Sequence, residues 1–131
     1  MMNTSARLLI VIAASVITLG CSLTVPTEEV YGTYVRSYPF GTETITLNRD
    51  GTFAQRVAIK QEEPVTVRGT WDFDPKESRA SFYGALLVTD GFGNLRKDWR
   101  TVTTGIVSLD VERHWFKIVM ASAETYPYVK Q

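Results

Sequence analysis

The sequence has one cysteine and one histidine in 131 residues, and each scarcity removes a class of chemistry. Cys21 alone closes no intramolecular disulfide and builds no thiolate zinc cluster. His114 alone leaves few routes to a histidine metal site or proton relay. Neither sign of charge is in excess: 14 basic and 14 acidic side chains cancel, and Lys and Arg never cluster. Nothing there supports a nucleic-acid surface, and no nucleic-acid partner is expected. Apolar runs are short. Leu8 to Leu19 spans twelve residues, against the roughly 20 that a membrane-spanning helix needs. From Val30 onward there is also no helical apolar stripe.

What is present begins with an address. Arg7 precedes the apolar run, in which only Ser15 and Thr18 are polar, the pattern of a secretory signal peptide. The run ends Thr18-Leu19-Gly20-Cys21-Ser22, which resembles a bacterial lipobox. That resemblance implies cleavage before Cys21 after its thiol has taken a diacylglyceryl group. Gly20 matches the pattern, whereas Thr18 stands where leucine is usual. Ser22 is similar to the small residue of lipoproteins sorted to the outer membrane. The expected organisation is a lipoprotein signal peptide over 1–20, a lipidated tether over 21–29 and a β domain over 30–131. The expected partner is a lipid membrane through acylated Cys21, and the expected location is the cell envelope, outer membrane facing the periplasm. Several acyl chains on one cysteine would hold stably, where one alone is marginal.

The remainder reads as short strands rich in Val, Ile, Thr, Tyr and Phe, punctuated by Gly, Asp, Asn and Pro. In Thr42–Leu47, Ile45 and Leu47 share a face; in Thr52–Lys60, Phe53, Val57 and Ile59 do. Asp50-Gly51 between them predicts a tight hairpin. Val65, Val67, Trp71 and Phe73 share a face in the next strand, and Gly69 on that face makes room for a large ring such as that of Trp71, or marks a bend. Further strands are expected over Ala80–Thr89, Trp99–Thr103, Gly105–Leu109, His114–Met120 (with Phe116, Ile118 and Met120 inward) and Tyr126–Val129. Seven or eight strands with hairpin-length links predict an all-β fold, a small antiparallel up-and-down barrel; a two-sheet sandwich is the alternative. Six Tyr, six Phe and three Trp all follow the leader, enough aromatic area for a disulfide-free core.

Catalytic patterns are weak. Ser108 lacks the glycine of a nucleophile elbow. Asp72, Asp74 and Glu77 are the carboxylates that a periplasmic hydrolase would use, but they sit at a turn. Asp50, Asp72, Asp74, Asp90 and Asn94 offer loop oxygens without the twelve-residue calcium pattern, and turn formation accounts for Asp90-Gly91-Phe92-Gly93-Asn94. No metal and no cofactor is expected. The aromatics are the candidate contacts for a ligand or partner: Tyr34, Tyr38, Trp71, Tyr83, Phe92 and Trp99. If the first and last strands pair, the rings of Tyr31 to Phe40 meet Tyr126 and Tyr128 at one rim or inside.

Gly32-Thr33-Tyr34, the hairpin Leu47-Asn48-Arg49-Asp50-Gly51-Thr52-Phe53 and Gly69-Thr70-Trp71 together resemble small lipocalin-like barrel lipoproteins, many of them uncharacterised bacterial envelope proteins. The likeness covers residues 30–73, with a weaker extension over Leu86–Asn94. It implies β-meander construction and transfers no catalytic residue. The functional expectation is a membrane-tethered envelope lipoprotein with a non-catalytic binding or structural role. The alternatives are a carrier of a small apolar ligand in a barrel cavity, and the hydrolase above.

Overall fold

The computed structural model describes residues 24–121 and 126–131. After a short helix α1 (Thr27–Val30), eight strands follow: β1 (Gly32–Tyr38), β2 (Gly41–Leu47), β3 (Thr52–Ile59), β4 (Val65–Asp74), β5 (Arg79–Tyr83), β6 (Ile106–His114), β7 (Lys117–Ala121) and β8 (Tyr128–Lys130). Each pairs antiparallel with the next, and β8 returns to β1 through Val35↔Val129. The result is a closed up-and-down barrel with no free strand edge. We call the end where β1 begins the lower end and the other the upper end.

Alternation of inward apolar and outward polar residues decides the register. Ile45, Leu47, Phe53, Val57 and Ile59 are buried, as period two requires. Outward neighbours pair across strands: Thr33 with Thr46 through their hydroxyls at 3.2 Å, Ser81 with Ser108 at 2.9 Å, and Arg79 with Asp110 at 3.1 Å. The Asp50-Gly51 hairpin forms, with Asn48 N–H donating to the Thr52 carbonyl. The ring that Gly69 admits is that of Phe53, its register partner. A Cβ at this position would lie 2.7 Å from the Phe53 ring and 2.2 Å from the Tyr83 carbonyl oxygen.

Residues ahead of β1 close the lower end. Val25 and Val30 are fully buried, the Tyr34 hydroxyl donates to the Val30 carbonyl at 2.6 Å, and Val25 N–H donates to Ser78 Oγ at 3.2 Å. Ser78 in turn donates to the Val111 carbonyl at 2.6 Å. Within the stretch expected as a tether, Val25 is packed into the barrel's lower end. The expected signal peptide and Cys21 lie outside the described residues.

Three expected strands come out differently. Ala80–Thr89 stops as a strand at Tyr83, because Gly84 takes a positive φ of 89° that ends the ladder. Residues 85–104 then fold over the upper end, held by the bridges Leu86↔Thr103 and Thr89↔Leu95. Trp99–Thr103 forms no strand: it is turn as far as Thr101 with a single bridge at Thr103, and Trp99 is buried within this cover. His114–Met120 is two strands: β6 runs to His114, Trp115 and Phe116 form the hairpin turn, and β7 starts at Lys117. Phe116 has inward parity with Ile118 and Met120, but it lies beyond the barrel's lower end and is exposed.

Candidate functional site

The inward-facing residues of each of the first three strands include one polar side chain among apolar ones. They read Tyr34, Arg36, Tyr38 on β1; Leu47 and Ile45, then Glu43 on β2; Phe53, Gln55, Val57 on β3. Arg36 is the register partner of Glu43, and Gln55, opposite Ile45, hydrogen-bonds to Glu43, so the three polar members meet. They divide the interior into two apolar clusters. The lower contains Val30, Tyr34, Leu47, Phe53 and Met120; the upper contains Tyr38, Val57, Ile59, Leu86, Val88 and Trp99.

Glu43 is 2% exposed and fully coordinated. Tyr38 donates its hydroxyl to Oε2 at 2.6 Å, Gln55 Nε2 donates to Oε1 at 2.7 Å, and the Tyr128 hydroxyl also donates to Oε1. Gln55 reaches the cover above as well. It donates to the Leu86 carbonyl at 3.2 Å and accepts from Leu86 N–H at 2.7 Å. Arg36, 7% exposed, is less well served. Nη1 donates to the Tyr38 hydroxyl at 3.2 Å, and the guanidinium lies 3.9 Å from the centroid of the Tyr128 ring. Its buried Nε–H has no hydrogen-bond partner among the described residues. Tyr38 thus relays between cation and carboxylate, and the surplus hydrogen-bonding capacity of the layer is donor capacity.

Burial, then the Glu43 carboxylate, pushes the phenols of Tyr38 and Tyr128 well above the ordinary tyrosine range, so both remain protonated donors. For Arg36, burial opposes the charge. The oxygens of Tyr128, Tyr38 and Glu43 outweigh it and hold the guanidinium protonated, above its ordinary value.

A partly enclosed cavity of about 160 Å3 adjoins this layer. Arg36, Glu43, Gln55 and Tyr128 form its polar wall; Ile45, Phe82, Val107, Leu109 and the cover residues Ala85 to Thr89 form the rest. A void of roughly 150 Å3 accepts benzene when its walls are apolar. Here the apolar walls meet one polar face in which the Glu43 oxygens are already engaged by three donors and Arg36 Nε–H has no partner among the described residues.

The aromatics singled out from the sequence disperse. Tyr38 enters the polar layer, stacked on Phe40 and edge-on to Tyr126, so the first and last strands do bring their rings together. Tyr34 belongs to the lower plug. Trp71 is buried near the lower end, its indole N–H donating to the Asn48 carbonyl at 3.0 Å. Tyr83 is on the outer wall and donates to Asp72 at 3.1 Å. Trp99 is buried behind Leu86 and Val88, and Phe92, 89% exposed, tips the upper loop. None of the six lines the cavity. Alternation could have found the polar wall, because Arg36, Glu43 and Gln55 occupy inward parity between apolar residues.

Asp72, Asp74 and Glu77 are exposed, and Asp74 Oδ1 accepts the turn N–H groups of Lys76 and Glu77 at 2.9 and 3.3 Å. Asp90 Oδ1 likewise accepts from Phe92 and Asn94 N–H, at 2.8 and 2.9 Å, which accounts for that loop as a turn. His114, at the lower end of β6, lies 2.8 Å from Glu112. Among the described residues no group of three or more His, Cys, Asp or Glu side chains is placed to hold a metal ion. No family model, curated protein or solved structure matches the chain.

Proposed function

We propose that this chain is a lipid-tethered protein of the bacterial envelope, facing the periplasm from the outer membrane. Its barrel binds a small molecule with an apolar body and an acceptor oxygen, and performs no chemistry on it. The observation that carries the binding role is the donor-rich layer of Arg36, Tyr38, Gln55 and Tyr128 beside a benzene-sized cavity. An apolar body would displace solvent from Ile45, Phe82, Val107 and Leu109, while its oxygen would accept from the guanidinium. The lipid tether is supported by the charge-free run Leu8 to Leu19 and by Gly20-Cys21-Ser22 behind it.

The tether is tested by intact mass and membrane fractionation of the native protein against Cys21→Ser. The native chain should begin at Cys21, carry acyl mass and sediment with membranes, and the variant should lose the acyl mass and its membrane association. An unchanged mass and unchanged sedimentation in the variant would overturn the tether.

A second reading has one observation in its favour. Phe92, almost wholly exposed on an ordered turn at the upper end, would suit contact with an envelope protein. Crosslinking in intact cells from position 92 should then trap a discrete partner, whereas absence of any adduct would remove this reading.

A further inference from the structure

The β6–β7 hairpin ends in two adjacent aromatics, Trp115 at 92% exposure and Phe116 at 95%. Both belong to residue types that normally seek burial, and nothing among the described residues covers them. The turn's own geometry gives no reason for a tryptophan either. Trp115 has a positive φ of 59°, a conformation that favours glycine and that a bulky side chain adopts at a cost.

The position of this tip on the barrel identifies what it meets. The hairpin projects from the lower end, the end at which the chain enters the fold. Arg113, two residues before the tip, pairs with Glu29, and Phe116 borders a surface depression shared with Glu28 and Glu29. Thr24, the first described residue, borders another with Glu77, Arg79 and Glu112. Cys21 is three residues before Thr24, a reach of about 10 Å in extended chain. Trp115 is three residues past Glu112, about 10 Å further along the hairpin. The span from Thr24 to Cys21 is thus long enough for a lipid there to enter the plane of the aromatic tip.

We propose that Trp115 and Phe116 are a membrane-docking wedge, seated in the interfacial region of the bilayer that holds the lipid tether. This inference rests on the tether proposed above. Tryptophan suits the headgroup level, where its ring is buried and its N–H stays wet. Two rings orient the barrel; the acyl chains hold it. Docked in this way, the barrel presents its upper end, with the cavity and the Phe92 loop, away from the membrane.

The experiment uses the full-length, natively acylated protein in vesicles of phosphatidylethanolamine and phosphatidylglycerol. Trp71 and Trp99 are buried and Trp115 is not, so iodide quenching of the exposed tryptophan reports on the tip. Docking predicts a several-fold fall in iodide quenching on vesicles relative to detergent-free buffer with the unacylated Cys21→Ser chain, together with quenching by brominated lipid. Trp115→Ser/Phe116→Ser should abolish the brominated-lipid signal while leaving acyl mass and vesicle association unchanged. A tip equally open to iodide on vesicles, in protein whose mass confirms acylation, would overturn the wedge and leave the tether standing. If the mass shows no acylation, the tether fails. The wedge is then judged on the unacylated chain, where a vesicle-dependent blue shift lost in the double variant supports it and no shift overturns it.

Discussion

The two halves of the barrel are built from the same strands and solve opposite problems. In the lower half the inward residues are apolar, Val25 and Val30 plug the opening, and the chain's polar groups there are met by backbone partners such as Val30 and Val111 carbonyls. In the upper half a carboxylate, an amide, two phenols and a guanidinium are taken out of water beneath a cover of irregular chain. Burying an ion pair rarely adds net stability over a well-packed apolar core. An upper half made like the lower one would fold at least as well. The lower half secures the fold, and the upper half carries a cost consistent with the binding role proposed for it.

The sharpest way to break this comparison is to remove the centre of the polar layer. Glu43→Leu leaves two phenols and the Gln55 amide without their carboxylate acceptor and the Arg36 charge without a nearby counter-charge, and should cost about 3–5 kcal/mol in urea unfolding. Arg36→Met/Glu43→Leu should recover much of that loss, because it removes both charges together. A Glu43→Leu protein as stable as the parent would mean that the layer is already solvated.

At the lower end the corresponding change is purely one of packing. Val30→Ala should cost about 2 kcal/mol by the same unfolding measurement, with no effect on ligand binding in the upper half. Loss of binding in that variant would show that the halves are coupled.

The tyrosines join both halves in one titration. Burial raises Tyr34 in the lower plug, and burial with Glu43 raises Tyr38 and Tyr128 in the upper layer. A group whose folded value lies above its unfolded one stabilises the fold below the unfolded value, here the ordinary 10.0, and that stability is lost as pH rises beyond it. Ultraviolet absorbance should therefore show these three phenols ionising only together with alkaline unfolding. Their smooth ionisation in a folded barrel would contradict the burial described.

The smallest effect is expected at the tip. Trp115→Gly relieves a positive φ and removes no buried surface, so stability should be unchanged or rise by up to about 1 kcal/mol. A substantial loss would give Trp115 a structural role in place of docking.

Much of the lower half and the first four strands was legible in the sequence, because Thr, Val and Ile alternate cleanly from Thr42 to Phe73 and Asp50-Gly51 marks its turn. The upper half was harder to read for identifiable reasons. Apolar parity runs on from Phe82 through Leu86 to Val88, so nothing but Gly84 signals that the strand has ended; the bridge from Leu86 to Thr103 that replaces it is long-range. One misreading falls at the lower end, where Trp115-Phe116 lacks the Gly, Asn or Asp by which hairpin turns are recognised, so two strands read as one. Arg36, Glu43 and Gln55 had inward parity all along, but alternation read through its apolar members passes over polar ones. Of the six aromatic candidates, Tyr34, Trp71 and Trp99 pack in the apolar clusters, Tyr38 enters the polar layer, and Tyr83 and Phe92 face outward.

The direct test of a ligand site in the upper half is an amide chemical-shift titration with two molecules of matched size, acetophenone and ethylbenzene. Acetophenone, which carries an acceptor oxygen, should bind more tightly and shift the amides around Arg36, Glu43, Leu86 and Val107; Arg36→Met should erase its advantage, and Val107→Trp should block both molecules. No saturable shift with either, or equal affinity for the two that Arg36→Met leaves unchanged, would contradict a donor-lined binding cavity.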